Sequence, residues 1–374
     1  MVNYLSGGII EGSSTSISSP SATGQKLLKR STPLSSDGND LSSGTFTAKD
    51  NLTVLIYAKI AGGNSGNPTG KLRFNSSGSS DNHYAQSYVQ GVNSGNGNLN
   101  TTQNSSRNGV TFSDGMSTGS VVFTVAQVSN MSDVQKLFTY NSIFDRNGTT
   151  ASNVPCRISG VGKYDSGSLG TNITSVDITN GNDGTFLDTD SEIIVLGGNN
   201  DESDSGTNFW QKLGYSGLSA YNSSSPDYLC QDLSLAKKKY LWIREHKMAA
   251  GNVRSKYTFN NSTSNYASRK NDWQSSSGST DSISDTSGSE LTLYNSGGSA
   301  EVISNTFILN TSTSHKLGYT HTVEHNSDGA GNTVTVGQFW WKWCSNDQIE
   351  SLTIKNDGSG NFGSGSEVTI WGAD

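Results

Sequence analysis

The stretch "SLAKKKYLWIREHKMAAGN" (Ser234 to Asn252) decides the fold. Read alone, its Ala, Leu, Lys, Arg, Glu and Met content suits a helix. An earlier stretch, "FTAKDNLTVLIYAKIAGGN" (Phe46 to Asn64), lies over it. Ala48-Lys49 falls on Ala236-Lys237, Lys59 on Lys247, and Ile60 on Met248. The earlier version holds Thr, Val and Ile at strand density. Its Leu52, Val54, Ile56 and Ile60 alternate with Thr53 and Lys59, the period of a half-buried strand. Two copies of one domain share one secondary structure, so both segments are predicted as strands.

Three further blocks repeat in the same order. "RFNSSGSSDNHYA" (Arg73 to Ala85) answers "TFNNSTSNYA" (Thr258 to Ala267). "NMSDVQKL" (Asn130 to Leu137) answers "NTSTSHKL" (Asn310 to Leu317). "ITSVDITNGNDGTFLDTDSEIIVLGG" (Ile173 to Gly198) answers "IESLTIKNDGSGNFGSGSEVTIWGA" (Ile349 to Ala373). The pattern predicts an N-terminal arm over residues 1–23, extended and nearly uncharged. A first domain follows at 24–198, then a linker at 199–208 and a second domain at 209–374. Each copy is expected to hold about seven to nine short strands. The fold class is all-β: two tandem homologous β-sandwiches, jelly-roll-like, because a single sheet buries only one face.

Composition agrees. Of 374 residues, 15% are charged and 43 are Gly, while Pro is limited to 5. Short β-branched and aromatic runs between Gly, Asn and Ser clusters read as an all-β chain with many turns. The net charge of −7 argues against nucleic acid as a partner, which needs a basic face. Lys237-Lys238-Lys239 reads as a charged flank to the following strand. Cys156, Cys230 and Cys344 are odd in number and lack metal spacing, so neither a disulfide framework nor zinc is expected. The first residues lack the pattern of a signal peptide. No apolar run is long enough to span a bilayer, so no membrane partner is expected.

Candidate chemistry is sparse. "HTVEH" (His321 to His325) would hold zinc only on a helix. On a strand, His321 and His325 share one face, Glu324 points to the other, and the histidines are expected to face solvent. "NGNDGTF", "NDGSGNF" and the acidic linker resemble calcium loops but lack a full ligand spacing, and Asn-Asp-Gly is turn chemistry. Gly363-Ser364-Gly365-Ser366 joins two predicted strands and offers no helix or His/Asp partner for a nucleophile. A phosphate-cradling loop is absent from the sequence. No catalytic residue, cofactor or metal is assigned, and the chain is expected not to be an enzyme.

"GQFWWKWCSND" (Gly337 to Asp347) is the densest aromatic cluster. On a strand, Phe339, Trp341 and Trp343 share one face and form a core row. Trp340 and Lys342 take the other face, which makes Trp340 the candidate exposed contact. The first copy, "GVGKYD" (Gly160 to Asp165), keeps the Lys-aromatic pair at Lys163-Tyr164 but has Gly at the position of Trp341.

The second copy carries Phe259-Asn260, Asn265-Tyr266-Ala267, Lys316-Leu317, Gly329-Ala330-Gly331, Lys342-Trp343, Gln348-Ile349, Gly365-Ser366-Glu367 and Gly372. This series resembles a repeat in uncharacterised virion structural proteins of marine tailed viruses of bacteria and archaea. The first copy departs from it: Gly-Ala-Gly is missing, Tyr164 replaces the Trp, and Asp190 precedes Ser191-Glu192. The resemblance spans nearly the whole chain except the arm, and it implies no catalytic residues. It implies a virion location, as a capsid decoration or spike or as a tail component. The expected partners are other virion proteins, met through the arm, and further copies of the chain. The alternative is a host-recognition module that binds a host glycan, with Trp340 as its first contact.

Overall fold

In a computed structural model the deciding stretch is a strand, Tyr240–Ala250. Its earlier counterpart is also a strand, Asn51–Lys59. The structure describes residues 3–5, 8–10, 25–62, 68–76, 82–91, 100–145, 150–167, 171–181, 186–199, 209–218, 228–273, 280–296, 301–325 and 334–374. Among these residues every regular element is a strand. In the N-terminal arm, β1 (Asn3–Leu5) pairs antiparallel with β2 (Gly8–Ile10). The segment therefore doubles back there, where the sequence suggests an extended run.

The chain divides into two compact units, formed for the most part by residues up to Trp210 and by Gln211–Asp374. Trp210 goes with the first unit, where its indole N–H donates to Gln25 Oε1 at 3.1 Å. Of the expected linker at 199–208, all but Asn199 lies outside the described residues.

In the first unit, one sheet has eight strands in the order β3 (Lys26–Arg30), β14 (Glu192–Gly198), β5 (Asn51–Lys59), β10 (Val121–Ser129), β11 (Lys136–Phe144), β12 (Cys156–Tyr164), β7 (Tyr84–Gly91) and β8 (Asn100–Arg107). A four-stranded sheet runs β4 (Asp40–Ser42), β13 (Val176–Asn180), β6 (Gly70–Phe74) and β9 (Val110–Thr111). One core joins them. Val54, Phe138 and Ile158 come from the large sheet, and Leu72, Phe74 and Ile178 from the small one. This is a β-sandwich, in which each sheet hides one apolar face against the other.

The second unit repeats the order. Its large sheet runs β15 (Gln211–Gly217), β27 (Glu367–Ala373), β17 (Tyr240–Ala250), β22 (Glu301–Leu309), β23 (Lys316–His325), β24 (Val334–Trp343), β19 (Tyr266–Trp273) and β20 (Thr280–Gly288). The small sheet runs β16 (Tyr228–Ser234), β25 (Ser351–Asn356), β18 (Val253–Phe259) and β21 (Leu291–Ser296), and β26 (Asn361–Phe362) pairs with β17. Each unit thus has at least twelve described strands rather than seven to nine. The extra ones include pieces such as β4 and β9, too short to show a period.

The pairing corrects the sequence alignment of the deciding stretch by one residue. The Ser191 hydroxyl bridges the backbone N–H and C=O of Lys59, and the Ser366 hydroxyl bridges those of Met248. Asn130 Nδ2 donates to Lys49 O, and Asn310 Nδ2 to Lys238 O. Lys59 therefore matches Met248, not Lys247. A slip of one residue moves every side chain to the other face. The core face of β5 (Leu52, Val54, Ile56, Ala58) corresponds to Leu241, Ile243, Glu245 and Lys247 of β17.

The tryptophan cluster follows from a trade across two strands. Phe138 on β11 faces Gly162 on β12, and Tyr140 faces Gly160. In the second unit the bulk changes sides. Gly318 on β23 faces Trp341 on β24, and Thr320 faces Phe339. A Cβ on Gly162 would lie 2.6 Å from Phe138 Cε2, and one on Gly318 would lie 2.5 Å from Trp341 Cη2. Each ring occupies the space over a facing glycine. Trp341 stacks on Phe259 at 5.3 Å, and Phe138 meets Phe74 edge-on at 5.4 Å. As expected, Phe339, Trp341 and Trp343 all lie in the core.

Candidate functional site

Each large sheet has a second face, turned away from its sandwich core, and here the units differ. In the second unit an aromatic row crosses five neighbouring strands. Trp371 lies opposite Trp242, Trp242 opposite Phe307, Phe307 opposite Tyr319, and Tyr319 opposite Trp340. Trp242 stacks on Trp371 at 4.7 Å and on Phe307 at 5.7 Å, and Tyr319 meets Trp340 at 5.6 Å. Trp340 does point away from the core, but it is 0% exposed and the other four rings are at most 9% exposed. The expectation of an exposed Trp340 is therefore wrong. Alternation along β24 identifies the opposite face but does not say whether that face meets solvent. Tyr319 lies on one side of Trp340 in the sheet and Arg269 on the other.

In the first unit the matching row reads Leu196, Thr53, Gln127, Thr139, Val161, Ser87 and Gln103. The adjacent row holds Asn51, Ser129, Leu137, Lys163 and Ala85. Thr53, Gln127 and Thr139 take the places of Trp242, Phe307 and Tyr319, and the aliphatic Leu196 and Val161 take those of Trp371 and Trp340. The result is a recess of about 1170 Å³ across seven strands, β14, β5, β10, β11, β12, β7 and β8. Lys163 is the charged side chain among its lining residues, which include no carboxylate. Leu137 and Val161 stand 58% and 53% exposed in its floor. Thr53 accepts from Gln25 Nε2 at 3.1 Å, which fixes the β3 side.

Inside the second sandwich is a polar cluster that sequence reasoning missed. Glu245 accepts from Tyr257 Oη at 2.7 Å and from Ser255 Oγ at 3.1 Å. Lys247 Nζ donates to Val253 O at 3.4 Å. Glu245, Lys247 and Glu324 are at most 3% exposed. Burial pulls the Lys247 ammonium down from its usual range, against the pull of Glu245 and Glu324. Burial, with Glu245 beside it, holds the Tyr257 phenol well above its usual range. Ile56, Ala58, Leu72 and Phe144 take the places of Glu245, Lys247, Tyr257 and Glu324 in the first unit. Sealed from solvent, these groups face no substrate and act within the core.

The remaining residues singled out from sequence are engaged in structure. "HTVEH" lies on β23, so the helical zinc geometry is absent. Glu324 faces the core, and His321 is half-buried rather than solvent-facing, with burial lowering its imidazole pKa below 6.5. In "NDGSGNF" the Asn356 amide caps its own turn, accepting from Gly358 N at 2.8 Å. Ser366 is fully buried. Lys237 pairs with Glu350 at 2.8 Å and Lys238 with Asp374 at 2.6 Å. Cys156 and Cys230 are buried, and burial pushes the Cys230 thiol up to about 12.

The side chains shared by both halves hold backbone. Asn75 and Asn260 adopt positive φ (55° and 51°), which Asn tolerates, and each amide oxygen accepts two consecutive backbone N–H groups. The Tyr84 and Tyr266 hydroxyls accept from Phe74 N and Phe259 N. Asn130 accepts from Ile173 N and Asn310 from Ile349 N, each while donating to two carbonyls. Lys136 and Lys316 reach back to the carbonyls of the preceding turn, Met131 and Val134 in one unit, Thr311 and Ser314 in the other. Lys316 is buried, and that burial lowers it to about 8.

The chain matches no protein-family model, no curated protein and no solved structure.

Proposed function

We propose that the chain is a non-enzymatic structural protein of a viral particle, displayed as a capsid decoration or spike or as a tail component. We read its two units as copies of one ancestral sandwich. The observation that carries this reading is the role of the shared residues. Asn75 and Asn260, Tyr84 and Tyr266, Asn130 and Asn310, and Lys136 and Lys316 all close turns or join strands. Residues of these types also make up the viral repeat that the sequence resembles. What is repeated is architecture, and assembly needs architecture without chemistry. The segment at residues 1–23 would join the chain to other virion proteins, by adding backbone hydrogen bonds to an exposed sheet edge.

Particle incorporation tests this. A tagged full chain should co-sediment with purified particles. A chain lacking residues 1–23 should keep its far-UV circular dichroism and stay in the soluble fraction. Absence of the full chain from particles would overturn the proposal.

A second reading, a glycan-binding module for host recognition, is favoured by one observation: the open recess on the first unit, in which amides and hydroxyls stand beside an apolar floor.

A further inference from the structure

We infer that the recess on the outer face of the first unit's large sheet binds an uncharged oligosaccharide. This rests on the glycan-binding reading and moves its site away from Trp340. A strand order common to both units carries five buried rings on this face in one and mostly hydroxyls, amides and small residues in the other. The sandwich does not require the polar set, since the second unit does without it.

Gln127 and Gln103 each present a donor and an acceptor, the pairing a sugar hydroxyl needs. Thr139 and Ser87 add hydroxyls between them. Leu137 and Val161 lie diagonally on adjacent strands and stand more than half exposed, an apolar floor for the C–H face of a sugar ring. With no carboxylate and Lys163 as the one charged side chain in the lining, nothing there complements a cationic ligand or the repeated charges of a polyanion. Seven strands at about 4.8 Å spacing give a track roughly 30 Å long, which suits a chain of sugars rather than a single ring. The recess is slightly larger than an ordinary small-molecule site, and it shares with such sites a few polar groups that fix orientation over apolar walls.

The probe is a panel of immobilised neutral glucans, galactans and mannans, beside charged polysaccharides and extended peptides, read with the full chain. Binding to a neutral member is expected. Gln127→Ala and Gln103→Ala should each weaken it about tenfold, the loss of roughly one well-made hydrogen bond. Ile303→Ser, on the second unit, should leave it unchanged. Thermal midpoints of the Gln variants should match the parent, since both side chains line an open face. Neutral-glycan binding that ignores both Gln variants would overturn the site but keep the glycan reading. Binding of no glycan would overturn both, and binding confined to charged polymers or peptides would overturn the ligand class.

Discussion

Exchanging bulk between two facing strands should be reversible by mutation. Trp341→Gly removes a fully buried indole that stacks on Phe259. Large-to-small aromatic changes in cores cost about 3–5 kcal/mol. Gly318→Phe places a ring where Trp341 already lies, since even a Cβ there would come to 2.5 Å of Trp341 Cη2. Overpacking of this kind costs about 1–3 kcal/mol and more when backbone must move. Simple addition predicts a loss of at least ~4–8 kcal/mol for the pair. The double variant instead rebuilds the arrangement of Phe138 over Gly162, so it should come within ~2 kcal/mol of the parent. One hydrogen bond is lost, from Trp341 Nε1 to Thr320 Oγ1, but Thr320 keeps Thr306 at 2.8 Å. Urea denaturation followed by far-UV circular dichroism gives the four corners of the cycle. Amide exchange in Tyr266–Trp273 reports on the second unit alone. A double variant as unstable as the sum of the singles would refute the trade.

Glu245→Ala should destabilise by ~3–5 kcal/mol, because it strands buried partners. Glu245→Ile with Lys247→Ala, the residues of the first unit, should cost less than the single change, as urea melts would show. Asn310→Ala removes three hydrogen bonds to backbone, at ~2–4 kcal/mol, and a thermal scan should detect it. Burial lowers the His321 pKa below 6.5, so the unfolded chain binds more protons as pH drops through that value. Stability should therefore fall on acidification from about pH 6.5, and His321→Asn should flatten that part of the curve in melts at pH 7.5 and 5.5.

The strands were legible because β-branched runs alternate between turn clusters, and Asn51–Lys59 is the clearest case. Its partner Tyr240–Ala250 is harder to read for a physical reason. Glu245 and Lys247 put charges on the core face, which erases the period of 2 and mimics a helix. The same charges hid the one-residue slip, because matching Lys59 to Lys247 looks better than matching it to Met248. The core row Phe339, Trp341 and Trp343 was readable from alternation within one strand. The burial of Trp340 was not, because alternation within one strand gives a side chain's face and not what lies over it, and the ring that Trp340 meets, Tyr319, comes from another segment. The recess lay out of reach likewise: Thr53, Gln103, Gln127 and Val161 become neighbours only through strand order, which no short stretch encodes.

Image averaging of purified particles by electron cryo-microscopy asks whether the chain is a component of the particle. Density is expected for two sandwiches that share one strand order, each a large sheet of at least eight strands packed on a four-stranded one, repeated at fixed positions on the particle surface or tail. Particles that carry no such density would contradict it.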